Sequence, residues 1–215
     1  MSCPDWSIQP AAVFAASPVI PVVVIKNLEH AIPLARALFA GDIHVMEVTL
    51  RTPVALDALQ LLTQTFPKAL IGVGTVTSPV QLELAIAAGA KFAISPGFTK
   101  TLLSAGMRAS IPLIPGVSSV SELMTAMEEG YTHFKFFPAA AAGGIPMLRS
   151  IHGPFPEVRF CPTGGINAEN YKDYLALSNV SCVGGSWIVP DDAINRSDWE
   201  LISNLCQRVN TATIC

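Results

Sequence analysis

Residues 45–74, VMEVTLRTPVALDALQLLTQTFPKALIGVG, contain one complete strand–helix–strand unit. Residues 45–50 and 70–74 are short apolar runs with β-branched side chains, which is typical of buried strands. Between them, residues 53–65 carry apolar side chains at helical spacing, which predicts a helix. We expect the two strands to be parallel, because a helical crossover returns the chain to the same end of the sheet.

The same alternation extends from this unit in both directions. Eight β/α units in 215 residues favour an α/β fold with a closed (β/α)8 TIM barrel, formed as a single domain over residues 1–215. An open, doubly wound sheet is the alternative, but no G-x-G-x-x-G motif follows the first strand. Residues 1–16 are predicted to be an extra N-terminal helical extension. The strands are predicted at residues 21–26, 45–50, 70–74, 92–95, 111–115, 133–136, 159–162 and 181–184, and the helices at residues 30–40, 53–65, 78–88, 99–108, 120–129, 146–151, 168–177 and 198–208.

Composition narrows the class of protein. Apolar residues make up 51% of the chain and charged residues 13%. This balance fits a sheet buried on both faces, with part of the surface covered in an oligomer. The net charge of −3, without any cluster of Lys or Arg, gives no basis for binding nucleic acid.

The chain is predicted to be cytoplasmic. Its longest apolar stretch, residues 10–25, contains Pro18 and Pro21 in its interior and is too short to cross a membrane, so no membrane association is expected. Asp5 stands where a secretory signal would carry positive charge. The five cysteines are odd in number and include no C-x-x-C pair, so we expect free thiols and no zinc site. Four histidines are predicted to be structural: His30, His44, His133 and His152.

A single lysine lies within the aromatic strand at residues 132–138, THFKFFP. Burying an ammonium group without a partner costs several kcal/mol, so an isolated buried amine tends to be neutral. A neutral amine in a dry pocket is a nucleophile that can form a Schiff base with a ketone. The alternative is a lysine at a strand end whose stem packs while its head reaches water. Lys135 is therefore the first candidate for a catalytic residue.

Polar residues at the end of the second predicted strand extend the candidate site. In barrel enzymes the active site lies at the C-terminal ends of the strands, and alternate residues of a strand share one face. Glu47 and Arg51 share one face of the second predicted strand. Glu47 is either a general acid/base or a structural carboxylate paired with Arg51. Arg51 is suited to a bidentate grip on a substrate carboxylate, with a plain ion pair as the alternative.

Two glycine-rich turns, Gly164-Gly165 and Gly184-Gly185-Ser186, follow the seventh and eighth predicted strands. Glycine lets the backbone approach an anion closely, and the N-terminus of a following helix donates free N–H groups. In many barrels these two loops form a phosphate site. One such turn alone could reflect tight βα geometry, but the pair predicts a phosphate-binding site.

Seven motifs in series resemble the family of 2-keto-3-deoxy-6-phosphogluconate (KDPG) aldolases. These are class I aldolases that also act on 4-hydroxy-2-oxoglutarate. The resemblance extends from about residue 18 to residue 190, and the series is far more specific than any one motif. The motifs are EVTLRT at residues 47–52, GVGT at 72–75, AISPG at 93–97, PLIPG at 112–116, FKFFPA at 134–139, CPTGGI at 161–166 and GGSW at 184–187.

The resemblance implies a role for each matching residue. Lys135 corresponds to the Schiff-base lysine and Glu47 to the catalytic acid/base, while Thr163 matches a position linked to substrate selectivity. It also implies a (β/α)8 barrel that is usually a homotrimer and uses no metal or other cofactor. The implied site for the substrate carboxylate is Arg51, Thr75 and Pro96, and the implied phosphate site is Gly164, Gly165, Gly184, Gly185 and Ser186.

The implied reaction is reversible cleavage of KDPG to pyruvate and D-glyceraldehyde 3-phosphate, in the Entner–Doudoroff pathway. Cleavage of 4-hydroxy-2-oxoglutarate to pyruvate and glyoxylate is the implied second activity. A galactonate-type aldolase, which differs in stereochemistry at C4, is an alternative. A phosphosugar epimerase or isomerase would not need Lys135 in this setting. A non-catalytic phosphosugar-binding barrel would be expected to lack Lys135 or Glu47, and both are present.

Overall fold

The computed structural model describes residues 5–211, and within them short strands alternate with helices. A 3-10 helix, Leu28–His30, precedes the helix at residues 31–40. The strands are β1 Val19–Val23, β2 Val45–Thr49, β3 Leu70–Gly74, β4 Ala93–Ile94, β5 Leu113–Ile114, β6 Gly116–Val117, β7 His133–Phe136, β8 Arg159–Pro162 and β9 Val183–Gly185. The helices are α1 Pro10–Ala15, α2 Ala31–Ala40, α3 Ala55–Thr65, α4 Pro79–Ala87, α5 Lys100–Arg108, α6 Val120–Glu128, α7 Gly144–His152, α8 Tyr171–Leu175, α9 Asp191–Asn195 and α10 Trp199–Thr211.

The strands are parallel and curl into a barrel. One sheet has the order β5-β4-β3-β2-β1-β9 and the other the order β6-β7-β8. On one side the sheets are continuous, since only Pro115 separates β5 from β6. On the other side, parallel bridges from Phe160 to Val180 and from Thr163 to Gly184 join β8 to β9. The predicted (β/α)8 barrel is confirmed.

The fifth strand differs from the prediction. The sequence predicts one strand at residues 111–115, whereas the structure has two short segments that extend to Val117. Proline has no N–H group and cannot donate to a strand ladder, so the ladder breaks at Pro115. The carbonyl of Pro115 still accepts a hydrogen bond from the Lys135 N–H at 3.0 Å. Gly116 is therefore a strand residue beside the candidate lysine, and not part of the following loop.

Both strands that close the barrel are displaced from their predicted bounds. The first begins at Val19 and not at residue 21, because Val19, Ile20 and Pro21 pair with β9. The last covers residues 183–185 and not 181–184, in register with the same three residues. Pairing between strands about 160 residues apart fixed these ends, which local sequence could not do. The short helix α9 was also not predicted.

The N-terminal helix packs against the end of the barrel opposite the strand C-termini. Its Phe14 ring meets His133, the first residue of β7, edge-on with ring centroids 5.3 Å apart. Trp6 precedes the helix, and its Nε1 donates a hydrogen bond to the Gly106 carbonyl at 3.0 Å. Of the predicted extension, residues 1–4 lie outside the described residues. The candidate site, at the other end of the strands, is left accessible.

Candidate active site

Lys135 and Glu47 form a buried ion pair inside the barrel. Nζ of Lys135 on β7 donates a hydrogen bond to Oε1 of Glu47 on β2 at 3.1 Å, and the exposed fractions of the two side chains are 7% and 2%. The residues on either side of Lys135 in the chain, Phe134 and Phe136, point the other way and pack against Phe160. The pleat of β7 therefore directs its only charged side chain at the carboxylate across the barrel.

Lys135 has a partner, whereas the sequence argument treated it as an isolated buried amine. A paired and hydrogen-bonded charge avoids most of the cost of burial that an unpaired ammonium would incur. Glu47 pairs with Lys135 and not with Arg51, so the interpretation of Glu47 as a partner of Arg51 does not describe this structure. The pair can exchange a proton along one hydrogen bond. That exchange yields a neutral amine beside a protonated carboxyl group, which are the two groups that imine formation requires.

Gly74 makes room for the Glu47 carboxylate. A Cβ atom built at position 74 would overlap Oε1 and Cδ of Glu47. Strand β3 lies beside β2 in parallel register, with Glu47 opposite Gly72 and Thr49 opposite Gly74. Thr49 is itself buried and donates its Oγ1 hydrogen to the Val23 carbonyl at 2.9 Å, which ties β2 to β1. The glycine at 74 thus permits the position from which Glu47 reaches Lys135.

A cavity of about 210 Å³ opens at the C-terminal ends of β1, β8 and β9. It brings together Arg51, the selectivity candidate Thr163 and all five predicted phosphate-site residues. A larger depression of about 430 Å³ beside Phe39 and His44 lies at the opposite end of the strands, away from this chemistry. The smaller cavity is lined by Val22, Val24, Arg51, Phe137, Thr163, Gly164, Gly165, Ile166, Gly184, Gly185 and Ser186.

The two glycine-rich turns need glycine for different reasons. Gly164 and Gly165 have φ angles of +99° and +76°, a backbone region that side chains with a Cβ rarely adopt. Gly184 has no room for a side chain, because a Cβ there would overlap Oγ1 of Thr163. A strand bridge joins Thr163 to Gly184, so the two turns lie against each other. Together they present closely spaced backbone to the cavity, while Ser186 adds an exposed hydroxyl.

No helix begins directly at either turn. Helix α8 begins at Tyr171, and not at residue 168 as predicted, and α9 begins at Asp191; each start is six residues after the last glycine of its turn. Side-chain oxygens organise the intervening loop: Oδ1 of Asn167 accepts from the Asn170 N–H at 3.2 Å, and Oδ1 of Asn170 accepts from the Asn167 N–H at 2.9 Å. Any anion held here would meet backbone N–H groups of the turns themselves.

Thr75 and Pro96 are not among the residues that line this cavity. Thr75 directly follows Gly74 and has a φ angle of +62°, which is unusual for a β-branched residue. Pro96 follows β4, and its carbonyl is packed so closely on Gly116 that a Cβ at Gly116 would overlap it. Gly116 pairs with Lys135 in the sheet. Of the predicted carboxylate-binding trio, Arg51 thus lines the cavity. Thr75 follows the glycine that packs on Glu47, and Pro96 packs on the strand neighbour of Lys135.

Other ionisable groups lie away from the pair. His133 is half-buried under α1, and this burial, followed by the charge of Arg159, lowers its pKa. Burial raises the pKa of the Cys206 thiol to about 12 and that of the Cys182 thiol well above its ordinary range, with neighbouring Cys161 adding to the latter. Cys3 and Cys215 lie outside the described residues. Between residues 5 and 211, no three His, Cys, Asp or Glu side chains are grouped to hold a metal ion.

The sequence did not identify Phe137 as a site residue. Its ring lines the cavity, and its centroid is 5.3 Å from Nζ of Lys135. The residue lies two positions after Lys135 and therefore on the same side of the chain, a pattern that could have identified it. The sequence also did not identify Val22, which lines the cavity and pairs with Glu47 in the sheet.

Comparisons with known proteins agree with this geometry. The family model for aldolases, described as KDPG and KHG aldolase, matches residues 11–205. The 2-dehydro-3-deoxy-phosphogluconate aldolase of Pseudoalteromonas atlantica is 54% identical over 95% of each chain. The KHG/KDPG aldolase of Escherichia coli is 52% identical over 94% of this chain and 95% of its own.

A solved structure extends the comparison to three dimensions. The KDPG aldolase from Legionella pneumophila is 68% identical, covering 95% of this chain and 99% of its own, with a TM-score of 0.94. That crystal structure contains pyruvate captured at low pH as a covalent carbinolamine intermediate. The family match spans most of the chain, and the relatives share more than half of its residues over nearly their full length. This chain therefore belongs to the family of KDPG and KHG aldolases.

Proposed function

We propose that this protein is a class I aldolase that reversibly cleaves KDPG to pyruvate and D-glyceraldehyde 3-phosphate. The observation that carries the proposal is the buried contact of 3.1 Å between Nζ of Lys135 and Oε1 of Glu47. A primary amine and a carboxyl group that share a proton are suited to forming an imine and to moving protons on the bound substrate. The names of the 52–54% identical relatives support the choice of substrate.

The first steps create an electron sink. Lys135 adds through its neutral Nζ to the C2 ketone of KDPG and forms a carbinolamine. Loss of water, with a proton supplied by Glu47, gives a protonated imine. The iminium cation then accepts the electron pair of the C3–C4 bond as Glu47 removes the proton of the C4 hydroxyl group. Glyceraldehyde 3-phosphate leaves, and the enamine of pyruvate remains on Lys135.

The last steps restore the resting pair. Glu47 returns its proton to C3 of the enamine, which regenerates an iminium ion. Water then adds at C2, pyruvate departs, and the amine of Lys135 is again paired with Glu47. Proton transfers by a positioned side chain are typically worth about 10²–10⁴ in rate, whereas the iminium ion provides the route itself.

Substrate binding is assigned to the residues around the pair. Arg51, Thr75 and Pro96 are proposed to hold the pyruvyl carboxylate. Phosphate is proposed to bind the two glycine turns, where left-handed Gly164 and Gly165 and the closely packed Gly184 allow an anion to approach backbone N–H groups. Gly185 and Ser186 complete this phosphate site, and Thr163 is proposed to influence selectivity.

Cleavage of 4-hydroxy-2-oxoglutarate is proposed as a second activity of the same site, in line with the KHG/KDPG name of the relative from Escherichia coli. A galactonate-type aldolase remains the alternative assignment for the C4 configuration. The assay is pyruvate release coupled to lactate dehydrogenase, with KDPG, its C4 epimer and 4-hydroxy-2-oxoglutarate as separate substrates. We expect KDPG to be cleaved faster than its C4 epimer. A preference for the C4 epimer would contradict the assignment.

We further propose that the protein is a single-domain, cytoplasmic homotrimer that acts in the Entner–Doudoroff pathway. Exposed apolar side chains on α4 and α6 support association: Val80, Leu84 and Met124 are 62%, 48% and 50% exposed. No helix of residues 5–211 is long and apolar enough to cross a membrane. Light scattering of the purified protein tests the trimer, and a monomeric mass would exclude it.

A further inference from the structure

Phe137 lies between the candidate nucleophile and the candidate phosphate turn. The centroid of its ring is 5.3 Å from Nζ of Lys135. On its other side, a Cβ built at Gly164 would lie 3.4 Å from Cε2 of the Phe137 ring. The ring is half-buried and lines the same cavity as Gly164, Gly165 and Arg51. Phe137 thus contacts both ends of the space that a phosphorylated keto acid would occupy.

The backbone around Phe137 is tied to both of these ends. Its N–H donates to the Val117 carbonyl on β6 at 3.1 Å. Two and three residues later, the N–H groups of Ala139 and Ala140 donate to the carbonyls of Thr163 and Gly164 at 2.8 and 3.0 Å. The ring is therefore held on a segment that is hydrogen-bonded on one side to the strand beside Lys135 and on the other to the glycine turn.

We propose that Phe137 is a positioning residue that fixes the separation between the Lys135 amine and the phosphate-binding turn, and thereby favours substrates long enough to reach both. The proposal rests on the proposed aldolase function and adds a determinant of chain length to it. A substrate held covalently at Nζ through C2 must extend its remaining carbons past the exposed side of the ring before its phosphate meets Gly164. The ring thus determines the path of the substrate between its two points of attachment, Nζ of Lys135 and the phosphate-binding turn.

The expected effect follows from having two anchors. A phosphorylated substrate uses binding energy at the remote phosphate to align the C3–C4 bond. Loss of the ring that sets this distance should therefore lower kcat as well as affinity. Misplacement by about 1 Å can cost about 10²-fold in rate. A shorter, unphosphorylated acid such as 4-hydroxy-2-oxoglutarate has no phosphate to place in the phosphate-binding turn. Loss of the ring should therefore change the ratio of the two activities.

The test compares Phe137→Leu, which removes the ring and keeps an apolar side chain, with Phe137→Tyr, which keeps the ring. For Phe137→Leu we expect the ratio of kcat/KM for KDPG to kcat/KM for 4-hydroxy-2-oxoglutarate to fall by at least about tenfold. Phe137→Tyr should retain the wild-type ratio. Borohydride trapping of pyruvate, which needs only the amine end of the site, should persist in both variants.

Phe160→Leu is the matched control. Phe160 is a fully buried ring on β8 that packs against Phe134 and Phe136, outside the cavity. Its replacement should lower the temperature of unfolding without changing the ratio of the two activities. If Phe137→Leu does not fold, Phe137→Met, which preserves more side-chain length, carries the same expectation.

Three results would separate this proposal from the proposed function. Wild-type protein that fails to cleave KDPG would overturn both. Wild-type activity with an unchanged ratio in folded Phe137→Leu or Phe137→Met would overturn only the positioning role. A ratio that falls equally in Phe137→Tyr would also overturn it, because that variant keeps the ring.

Discussion

The carboxylate of Glu47 occupies the space that a Cβ atom on Gly74 would fill. The two residues belong to the paired strands β2 and β3 and lie on the side that faces into the barrel. Any larger residue at position 74 must therefore displace the carboxylate that contacts Lys135. This relationship links a glycine with no chemistry of its own to the proposed proton transfers.

Gly74→Ala should lower kcat by at least about tenfold, since it moves the acid/base away from Nζ of Lys135 and acid/base help is worth about 10²–10⁴. The coupled pyruvate assay measures this loss. Gly153→Ala is the control, because Gly153 has a φ angle of −59° and the nearest atom to its added Cβ would be 3.9 Å away. Full activity of Gly74→Ala would show that Glu47 need not occupy its present position.

Glu47→Gln should reduce turnover by about 10²–10⁴-fold, because the amide cannot accept and return the protons at C4 and C3. It should still permit borohydride trapping of pyruvate on the enzyme, since Lys135 supplies the covalent bond, but more slowly than in the wild type, because water must then supply the proton that Glu47 gives during imine formation. Circular dichroism controls for folding, because breaking a buried ion pair can destabilise a protein by about 3–5 kcal/mol. Near-normal turnover would place the base elsewhere.

Thr75 offers a test that separates strain from function. Its φ angle of +62° disfavours any residue with a Cβ, so Thr75→Gly should be more stable than Thr75→Ala by about 1 kcal/mol. Both variants lack the hydroxyl group proposed to hold the carboxylate, and both should need more pyruvate for half-maximal trapping. Urea denaturation and the trapping assay measure the two effects. Equal stabilities would mean that position 75 is not strained.

Gly164→Val should impair cleavage of KDPG more than cleavage of 4-hydroxy-2-oxoglutarate. Gly164 has a φ angle of +99°, and a Cβ there would contact the ring of Phe137. Valine has no low-energy conformation at this position, so the phosphate turn must distort. Steady-state kinetics with both substrates measure the difference. Equal losses in a folded protein of unchanged oligomeric state would show that this turn has another role.

The buried thiols provide a prediction about the rate of chemical labelling, which depends on the fraction of each thiol that is ionised. With its pKa raised to about 12, roughly one Cys206 side chain in 10⁴ is ionised at pH 8, and the thiolate is the species that reacts. Iodoacetamide should therefore label Cys182 and Cys206 slowly in the native protein and quickly in guanidinium chloride. Peptide mass mapping follows each site. Rapid native labelling of Cys206 would contradict its burial.

Local sequence predicted those parts of the fold that local physics controls. Strands β3, β7 and β8 have their predicted bounds, because each is a short apolar run with clear stops. The ends of β1 and β9 depend on pairing across the closure of the barrel, which no local pattern reveals.

The candidate site shows the same division. Sequence placed Lys135 and Glu47 at strand ends, but their contact joins residues 88 positions apart and required the closed barrel. The partner of Lys135 could not be identified from local sequence for that reason. The left-handed backbone at Thr75 was also invisible in sequence, since threonine rarely adopts it.

The most direct test of the account is the site of covalent attachment. The protein is incubated with pyruvate and sodium borohydride, digested, and its lysine-containing peptides are mapped by mass spectrometry, with Lys135→Met as the control. The account predicts irreversible inactivation and a single reduced pyruvate adduct on Lys135, absent from the variant. An adduct on any other lysine, or inactivation of the protein without one on Lys135, would contradict it.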